Sequence, residues 1–292
     1  MRSAVVINPS KVVDMDARRK EICSALADAG CPEPIWLETT PEDPGCGQTR
    51  RAIDTGVDVV FACGGDGTVM ACVTALAGTD VALAVLPSGT GNLLATNLDL
   101  PTGVPEAIAL AIGGQRRRID VGAFETRCFT VMAGMGFDAA MMESSPVALK
   151  KHLGWLAYVL GGLRRLGDRS MRIRIRFDGR PAIRRRARTI LVANVGRLQG
   201  GIELFPDAEP DDGMFDIAVI NPRHLRDWAA LGWAVLRRRP HAPRMEMFRA
   251  TSIVVTSGRA QPREADGDVI EPGRHLNITV RPGALLLCAP PR

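Results

Sequence analysis

The first 120 residues alternate apolar runs with amphipathic runs, which predicts strands alternating with helices. The predicted strands are Ala4–Asn8, Pro34–Glu38, Val57–Ala62 and Val81–Leu86. Asp14 can cap a first helix that Gly30 ends, and the later helices cover Gly47–Asp54, Val69–Ala77, Leu93–Asn97 and Pro105–Ile112. Apolar strands joined by helices are typical of a parallel sheet covered on both faces, with ligands at the carboxyl ends of the strands.

The pattern changes after Asp120. Residues Met171–Phe177 alternate strictly between apolar and charged side chains, which predicts a strand with one buried face, and Asp178-Gly179 is a hairpin signal. Further strands are predicted at Phe129–Met132, Ile190–Asn194, Phe215–Ile220, Thr251–Thr256 and Leu276–Val280, with helices at His152–Leu166 and Arg223–Arg238. This half is therefore expected to be mostly antiparallel β, and to pack against the first half with a cleft between them.

The composition indicates the kind of protein and its expected location. The hydrophobic content of 46% and charged content of 24% are ordinary for a soluble globular protein. No apolar run approaches the roughly 18 residues of a membrane-spanning helix, and Met1–Ile7 resembles a first strand more than a signal peptide. Seven cysteines without a Cys-x-x-Cys pair predict reduced thiols. We therefore expect a cytoplasmic protein.

The net charge of +5 comes almost entirely from arginine and allows nucleic acid, an anionic membrane or an anionic substrate as partner. An aromatic content of 4% with no stacking cluster argues against nucleic acid. Arg172, Arg174 and Arg176 lie on the solvent-exposed face of one predicted strand. This face is either simply solvated or a surface that contacts an anionic bilayer.

A helical stripe leaves a similar choice open. Leu225, Trp228, Leu231 and Val235 recur at helical spacing ahead of Arg237-Arg238-Arg239. Such a helix either packs on the β domain or lies at a membrane interface.

The main chemical signal is Cys63-Gly64-Gly65-Asp66-Gly67-Thr68, which stands between a predicted strand and a predicted helix. Glycines let the backbone approach a phosphate, and a helix start points N–H groups at it. A second turn, Pro87-Ser88-Gly89-Thr90-Gly91-Asn92, follows the next strand, so the two turns can converge on one polyphosphate. Neither turn is a Walker A loop or a dinucleotide fingerprint, since the chain has no Gly-Lys dipeptide and no Gly-x-Gly-x-x-Gly run here.

These turns, together with Asn8-Pro9, resemble the diacylglycerol kinase catalytic family. In the second half, Gly134–Ala139 resembles the family's Gly-x-Gly-Phe-Asp-Ala signature, and Pro206-Asp207-Ala208 with Asp211-Asp212-Gly213 resembles its metal segment. Asp266-Gly267-Asp268 stands where the family has Asp-Gly-Glu. The family includes bacterial soluble diacylglycerol kinases and the sphingosine and ceramide kinases, with NAD kinases and phosphofructokinase as distant kin.

The resemblance implies an α/β plus β architecture. A phosphofructokinase-like parallel α/β domain would cover residues 1–122, and a β-sandwich domain that takes the lipid would cover residues 123–280. Residues 281–292 would return to the first domain, with Ala284–Cys288 as the returning strand. The active site would lie in the cleft between the two domains.

The resemblance also implies an ATP-dependent and Mg²⁺-dependent lipid kinase that phosphorylates a lipid hydroxyl, with diacylglycerol as the expected acceptor and phosphatidic acid as the product. Phosphoryl transfer needs positioning, charge neutralisation and a group that orients the attacking hydroxyl. We expect Asp266 to be this base and Asp66 to serve the metal and the phosphate, while the reverse assignment stays open. The expected nucleotide contacts are Asn8, Thr40, Gly64, Gly65, Asp66, Gly67, Thr68, Gly89, Thr90, Asn92 and Asp268, the last being one methylene shorter than the family's Glu.

A separate Mg²⁺ site is expected away from the chemistry. Two adjacent carboxylates in a turn suit a hard cation, although a plain Asp-Gly turn is the alternative. By resemblance, Asp212 and the carbonyls of Glu209 and Met214 would hold the ion.

The expected partner is a lipid substrate at an anionic membrane surface, with the protein peripheral to the inner face of the membrane and without a transmembrane segment. A homodimer stays open. The alternatives are a kinase of a sphingoid base, of ceramide or of a soluble acceptor such as NAD, and a non-catalytic protein that binds nucleotide or lipid.

Overall fold

The computed structural model describes residues 1–89, 91–113, 116–136, 170–197, 203–237 and 244–290, apart from the side chains of residues 225, 235 and 236. Its chain forms two compact units. Unit 1 is Met1–Val121 with Arg127–Thr130 and Arg281–Arg292, and unit 2 is Gly122–Thr126 with Val131–Val280. The predicted helix His152–Leu166 lies outside the described residues.

Unit 1 is built on a parallel sheet. Strands β1 (Ser3–Ile7), β2 (Ile35–Glu38), β3 (Val59–Gly64) and β4 (Ala82–Pro87) pair in the order β4-β3-β1-β2. Every residue of β1 and β3 is buried, which explains why these strands are continuous apolar runs. The helices are α1 (Met15–Asp28), α2 (Cys46–Asp54), α3 (Asp66–Leu76), α4 (Leu93–Asn97) and α5 (Val104–Gly113).

The helices of unit 1 pack in two pairs. Helix α1 packs on α5 and helix α2 packs on α3. Ile22 and Leu26 of α1 join Ile108 of α5 in a core with Val5 and Phe61 of the sheet. The Asp14 carboxylate caps α1 by accepting the Ala17 N–H at 2.9 Å, as the sequence predicts.

The end of the chain completes unit 1. Strand β14 (Asp268–Cys288) finishes parallel to β4, with Leu287 paired to Leu83. The Gly283 N–H donates to Asp120 Oδ1 at 2.7 Å, and the Gly78 N–H donates to the Ala284 carbonyl at 2.7 Å. Asp120 lies on β5 (Arg116–Phe124), which also pairs with β14 and with β6 (Arg127–Phe129).

Unit 2 is mainly antiparallel. Its strands run in the order β12-β11-β10-β7-β13-β14, and the β8–β9 hairpin pairs with β13 through β8. The bounds are β7 (Met132–Gly136), β8 (Met171–Phe177), β9 (Ile183–Ala187), β10 (Thr189–Ala193), β11 (Phe215–Ile220), α6 (Leu225–Leu236), β12 (Met245–Ala250) and β13 (Ser252–Ala265). The α/β plus β fold class is therefore confirmed.

Three sequence-based expectations about the second half of the chain need correction. The predicted strand Phe129–Met132 is wrong, because β6 ends at Phe129 and β7 begins at Met132. The strand is interrupted between these two residues, where the Val131 and Met132 amides donate to the Asp266 carboxylate. The strands predicted at residues 251–256 and 276–280 are parts of β13 and β14, which extend over 14 and 21 residues.

The sequence also missed β5, β9 and β12. Strand β9 has the sequence Ile-Arg-Arg-Arg-Ala, whose three consecutive arginines hide the alternation that marks a strand. Two residues of the predicted apolar stripe of helix α6, Trp228 and Leu231, are buried, so the helix packs through this part of the stripe. Trp233, which is not part of the stripe, is 53% exposed. Within the described ranges, no helix has the length and apolar character that crossing a bilayer requires.

Candidate functional site

The two glycine turns of unit 1 lie against each other. They follow the neighbouring strands β3 and β4, and the Ser88 N–H donates to the Gly64 carbonyl at 2.9 Å. A Cβ atom added to Gly89 would stand 2.7 Å from the Gly65 Cα atom. This approach admits glycine but not a larger residue without a shift of one backbone. The fold therefore brings both predicted phosphate turns together at one edge of the sheet.

Asp66 ties one turn to the other. It is the first residue of α3, and its Oδ1 atom accepts the N–H of Leu93, the first residue of α4, at 2.6 Å. Asn92, in the left-handed region at φ 46°, donates from its side chain to the Gly89 carbonyl at 3.0 Å. Both residues thus hold the shape of the turns, a role that sequence reasoning did not predict for Asp66.

Asn8 and Thr68 form a second support. The Asn8 side-chain amide donates to the Thr68 hydroxyl at 3.2 Å, and its oxygen accepts the Ser10 N–H at 3.0 Å. Thr40 caps its own loop instead, since its hydroxyl accepts the Asp43 N–H at 3.2 Å. Thr90 lies outside the described residues. Of the predicted nucleotide contacts, Asn8 and Thr68 therefore meet beside the turn, while Thr40 has a local role in its loop.

Lys11 is a residue of this site that sequence reasoning missed. It ends the short 3₁₀ turn Pro9–Lys11, and its Cε atom would lie 4.0 Å from a Cβ on Gly65. A cation beside the glycine turn would contact a phosphate held there. The available signal is that the chain has four lysines against 33 arginines, and that this lysine follows Asn8-Pro9-Ser10.

Cys63 lies under the same turns but does not offer a nucleophile. Its sulfur is 3.6 Å from the Ser88 hydroxyl. Burial raises the pKa of the Cys63 thiol above its usual value, although the Ser88 hydrogen bond opposes this effect. The residue therefore stays protonated and packs as a small apolar group.

Asp266 belongs to unit 2 and stands in the turn between β13 and β14. Its Oδ1 atom accepts the N–H groups of Val131 and Met132, each at 2.9 Å, and 5% of the residue is exposed. Asp266 and Gly267 have φ values of 46° and 87°. Asp268 follows as the first residue of β14, paired with Ala265.

The same device occurs a second time in unit 2. Asp178 and Gly179 have φ values of 48° and 71°, and Asp178 Oδ1 accepts the N–H groups of Thr251 and Ser252 at 2.9 Å. The Thr251 hydroxyl, with these amides, holds the pKa of the Asp178 carboxyl below its usual value. A left-handed Asp-Gly turn whose carboxylate accepts two backbone N–H groups therefore has a structural role at both places. At Asp266 the same hydrogen bonds also fix the position of the carboxylate.

In the predicted Mg²⁺ segment, both oxygens of the Asp212 carboxylate already have partners within the protein. The Asp212 carboxylate accepts the Met214 N–H at 2.9 Å through one oxygen and the Arg249 guanidinium through the other. Arg249 Nε also lies 3.5 Å from Asp216 Oδ1. Among the residues that the structure describes, no three acidic, histidine or cysteine side chains are grouped as metal ligands. The Arg249 guanidinium therefore occupies one of the two Asp212 carboxylate oxygens that a metal ion would use.

Family models match both halves of the chain. Residues 2–124 match the model of the diacylglycerol kinase catalytic domain. Residues 131–289 match the model of the YegS C-terminal NAD kinase beta sandwich-like domain. The chain belongs to the diacylglycerol kinase family. Members of this family are kinases, so the chain is assigned to a class of transferases.

Individual relatives cover nearly the whole chain. A diacylglycerol kinase of Staphylococcus saprophyticus is 27% identical over 285 residues, which are 95% of this chain and 92% of that protein. A protein of Chromohalobacter salexigens named "Probable lipid kinase YegS-like" is 34% identical over 253 residues, 82% of this chain and 79% of its own length. The crystal structure of a diacylglycerol kinase from Bacillus anthracis matches with a TM-score of 0.79 at 22% identity, covering 99% of this chain and 97% of that one.

Gly89→Ala should weaken nucleotide binding by roughly tenfold or more. The added methyl group forces the two turns apart, and overpacking of this kind costs about 1–3 kcal/mol. Calorimetric titration with a non-hydrolysable ATP analogue measures the affinity, and the melting temperature reports folding. Gly113→Ala is the matched control, because nothing lies within 4 Å of a Cβ there. Unchanged affinity in a folded Gly89→Ala protein would show that these turns do not hold the nucleotide.

Chelation should leave the melting temperature of the wild-type protein unchanged, because Arg249 already neutralises Asp212 and Asp216. Arg249→Met should melt lower and should regain stability as Mg²⁺ is added, since the two carboxylates then lack a cation. Arg274→Met, an exposed arginine of β14, serves as control. A wild-type protein that loses several degrees with EDTA and recovers with Mg²⁺ would restore the predicted metal site.

Proposed function

We propose that this protein is an ATP-dependent lipid kinase that transfers the γ-phosphoryl group to the hydroxyl of diacylglycerol and yields phosphatidic acid. The observation that carries the proposal is the contact between Gly65 and Gly89, with Lys11 beside it. Two backbone turns and a cation at the carboxyl edge of a parallel sheet suit a polyphosphate. The relatives named as diacylglycerol and lipid kinases support a lipid acceptor.

Unit 1 would supply the nucleotide contacts. Backbone N–H groups of the two turns and of the α3 start would bind the phosphates, since no side chain caps that helix. Lys11 would neutralise phosphate charge, and Asn8 would hold the Thr68 hydroxyl toward the turn. Mg²⁺ bound with ATP would supply further charge neutralisation, and the half-exposed Asp66 carboxylate is the hard oxygen ligand of unit 1 that would hold it.

Unit 2 would supply the base. Asp266 would orient or deprotonate the lipid hydroxyl, because two backbone amides hold its Oδ1 atom in one place. Its high burial suits a site from which water is excluded. Asp268 would contact the nucleotide or its metal over a shorter reach than a glutamate has.

A soluble acceptor is the second candidate. The matched model for residues 131–289 is described as NAD kinase-like, which favours NAD as the rival substrate. Sphingosine and ceramide are rivals within the lipid class. Loss of transfer to every acceptor would instead favour a protein that binds nucleotide or lipid without catalysis.

Labelled ATP should transfer its γ-phosphate to diacylglycerol in mixed micelles, and less efficiently to sphingosine, ceramide or NAD. Thin-layer separation of phosphatidic acid from the other products measures the preference. Transfer to NAD alone would overturn the lipid assignment.

Asp266→Asn should lower kcat by a factor of about 10²–10⁴, because the amide cannot accept the hydroxyl proton. Its oxygen can still accept the two N–H groups, so the melting temperature should change little. Asp178→Asn is the matched control, since it alters the equivalent Asp-Gly turn in the same unit. Asp66→Asn should raise the KM for Mg-ATP as well as lower kcat. An active Asp266→Asn enzyme together with an inactive, folded Asp66→Asn enzyme would transfer the role of base to Asp66.

A further inference from the structure

The β8–β9 hairpin opposes like charges in register. Arg172 pairs across the hairpin with Arg186, and Arg174 pairs with Arg184. All four side chains are exposed, and none of them forms an ion pair within the described part of the chain. Like charges directly opposite on one face of a sheet destabilise the pairing. The hairpin therefore carries a cost in stability that the fold itself does not require.

These arginines line a concave surface, which we call the arginine pocket. Its volume is about 880 Å³, and Arg223 and Arg244 complete its wall together with Thr256 and Ser257 of β13. Seven arginines and one carboxylate line it, a net charge of +6 where the whole chain carries +5. The single carboxylate, Glu246, is already bound by Arg185 at 2.8 Å. The pocket thus concentrates uncompensated positive charge.

The chemistry of the pocket suits phosphate. Guanidinium groups bind phosphate oxygens through paired N–H donors, and several of them together suit a ligand with more than one charge. The hydroxyls of Thr256 and Ser257 add polar groups for such a ligand. No aromatic side chain is among the described lining residues, so the pocket lacks the stacking surface with which proteins bind single-stranded nucleic acid.

We propose that the arginine pocket binds the phosphate headgroups of anionic phospholipids and is the surface through which unit 2 contacts the bilayer. This assignment rests on the proposed lipid-kinase function, because an acceptor such as diacylglycerol resides in a membrane. The charge of the pocket, on an open and concave face, accounts for an approach to an anionic surface. The repulsion across the hairpin is then the cost of keeping these charges together until headgroups neutralise them.

The test compares two variants with equal charge. The pocket variant carries Arg172→Gln, Arg174→Gln, Arg184→Gln and Arg186→Gln. The control variant carries four substitutions of exposed arginines outside the pocket, Arg50→Gln, Arg51→Gln, Arg180→Gln and Arg274→Gln. Both lower the net charge by the same amount, so general electrostatic attraction changes equally. Binding is measured in the absence of nucleotide, by sedimentation of the protein with phosphatidylcholine vesicles that contain either no phosphatidylglycerol or about 30 mol% of it.

The wild-type and control proteins should bind the anionic vesicles, and the pocket variant should bind them on the order of 100-fold more weakly. The pocket variant should also melt at a higher temperature than wild type, because the opposed charges are gone. Equal loss in both variants would overturn the proposal. So would inorganic triphosphate or single-stranded DNA that binds through the pocket while vesicles do not. Vesicle binding needs no phosphoryl transfer, so failure of the kinase assay and failure of this test are separate results.

Discussion

The candidate site of unit 1 depends on one close approach, that of the Gly65 and Gly89 backbones. Strands β3 and β4 are parallel neighbours, so their carboxyl ends deliver both turns to one place. The approach needs two residues without side chains, and it makes the Asp66 bond to Leu93 possible. Two sequence motifs 24 residues apart thereby form one continuous surface.

Sequence reasoning succeeded where a residue's environment is set locally. Strands β1, β3 and β4 were predicted because burial on both faces makes each of them an apolar run. The Asp66 bond to Leu93 could not be predicted, since it spans 27 positions and exists only once the turns are side by side. The Arg249 contact with Asp212 has the same character, because it spans 37 positions and joins β12 to a loop. Sequence motifs therefore indicate the residues of the candidate site, but the hydrogen-bond partners of these residues are set by the tertiary fold.

Arginine serves three different purposes in unit 2, which a count of charges cannot separate. Arg263 is buried, where it donates to the Glu125 carboxylate and to the Glu271 and His275 carbonyls and lies over the Phe124 ring. Arg249 neutralises two carboxylates in a segment predicted to hold a cation. The hairpin arginines face one another in the open. Burial, partner and register distinguish structural from functional charge here.

The return of β14 to unit 1 bears on how the protein is made. Unit 1 is discontinuous, so its sheet lacks the strand beside β4 until residues 281–288 have been synthesised. Most chains fold their N-terminal domain first as they leave the ribosome. Here the last strand of unit 1 is made after the strands of unit 2, so the β4 edge has no β14 partner until then. An unpaired strand edge of this kind is a place at which another strand can add.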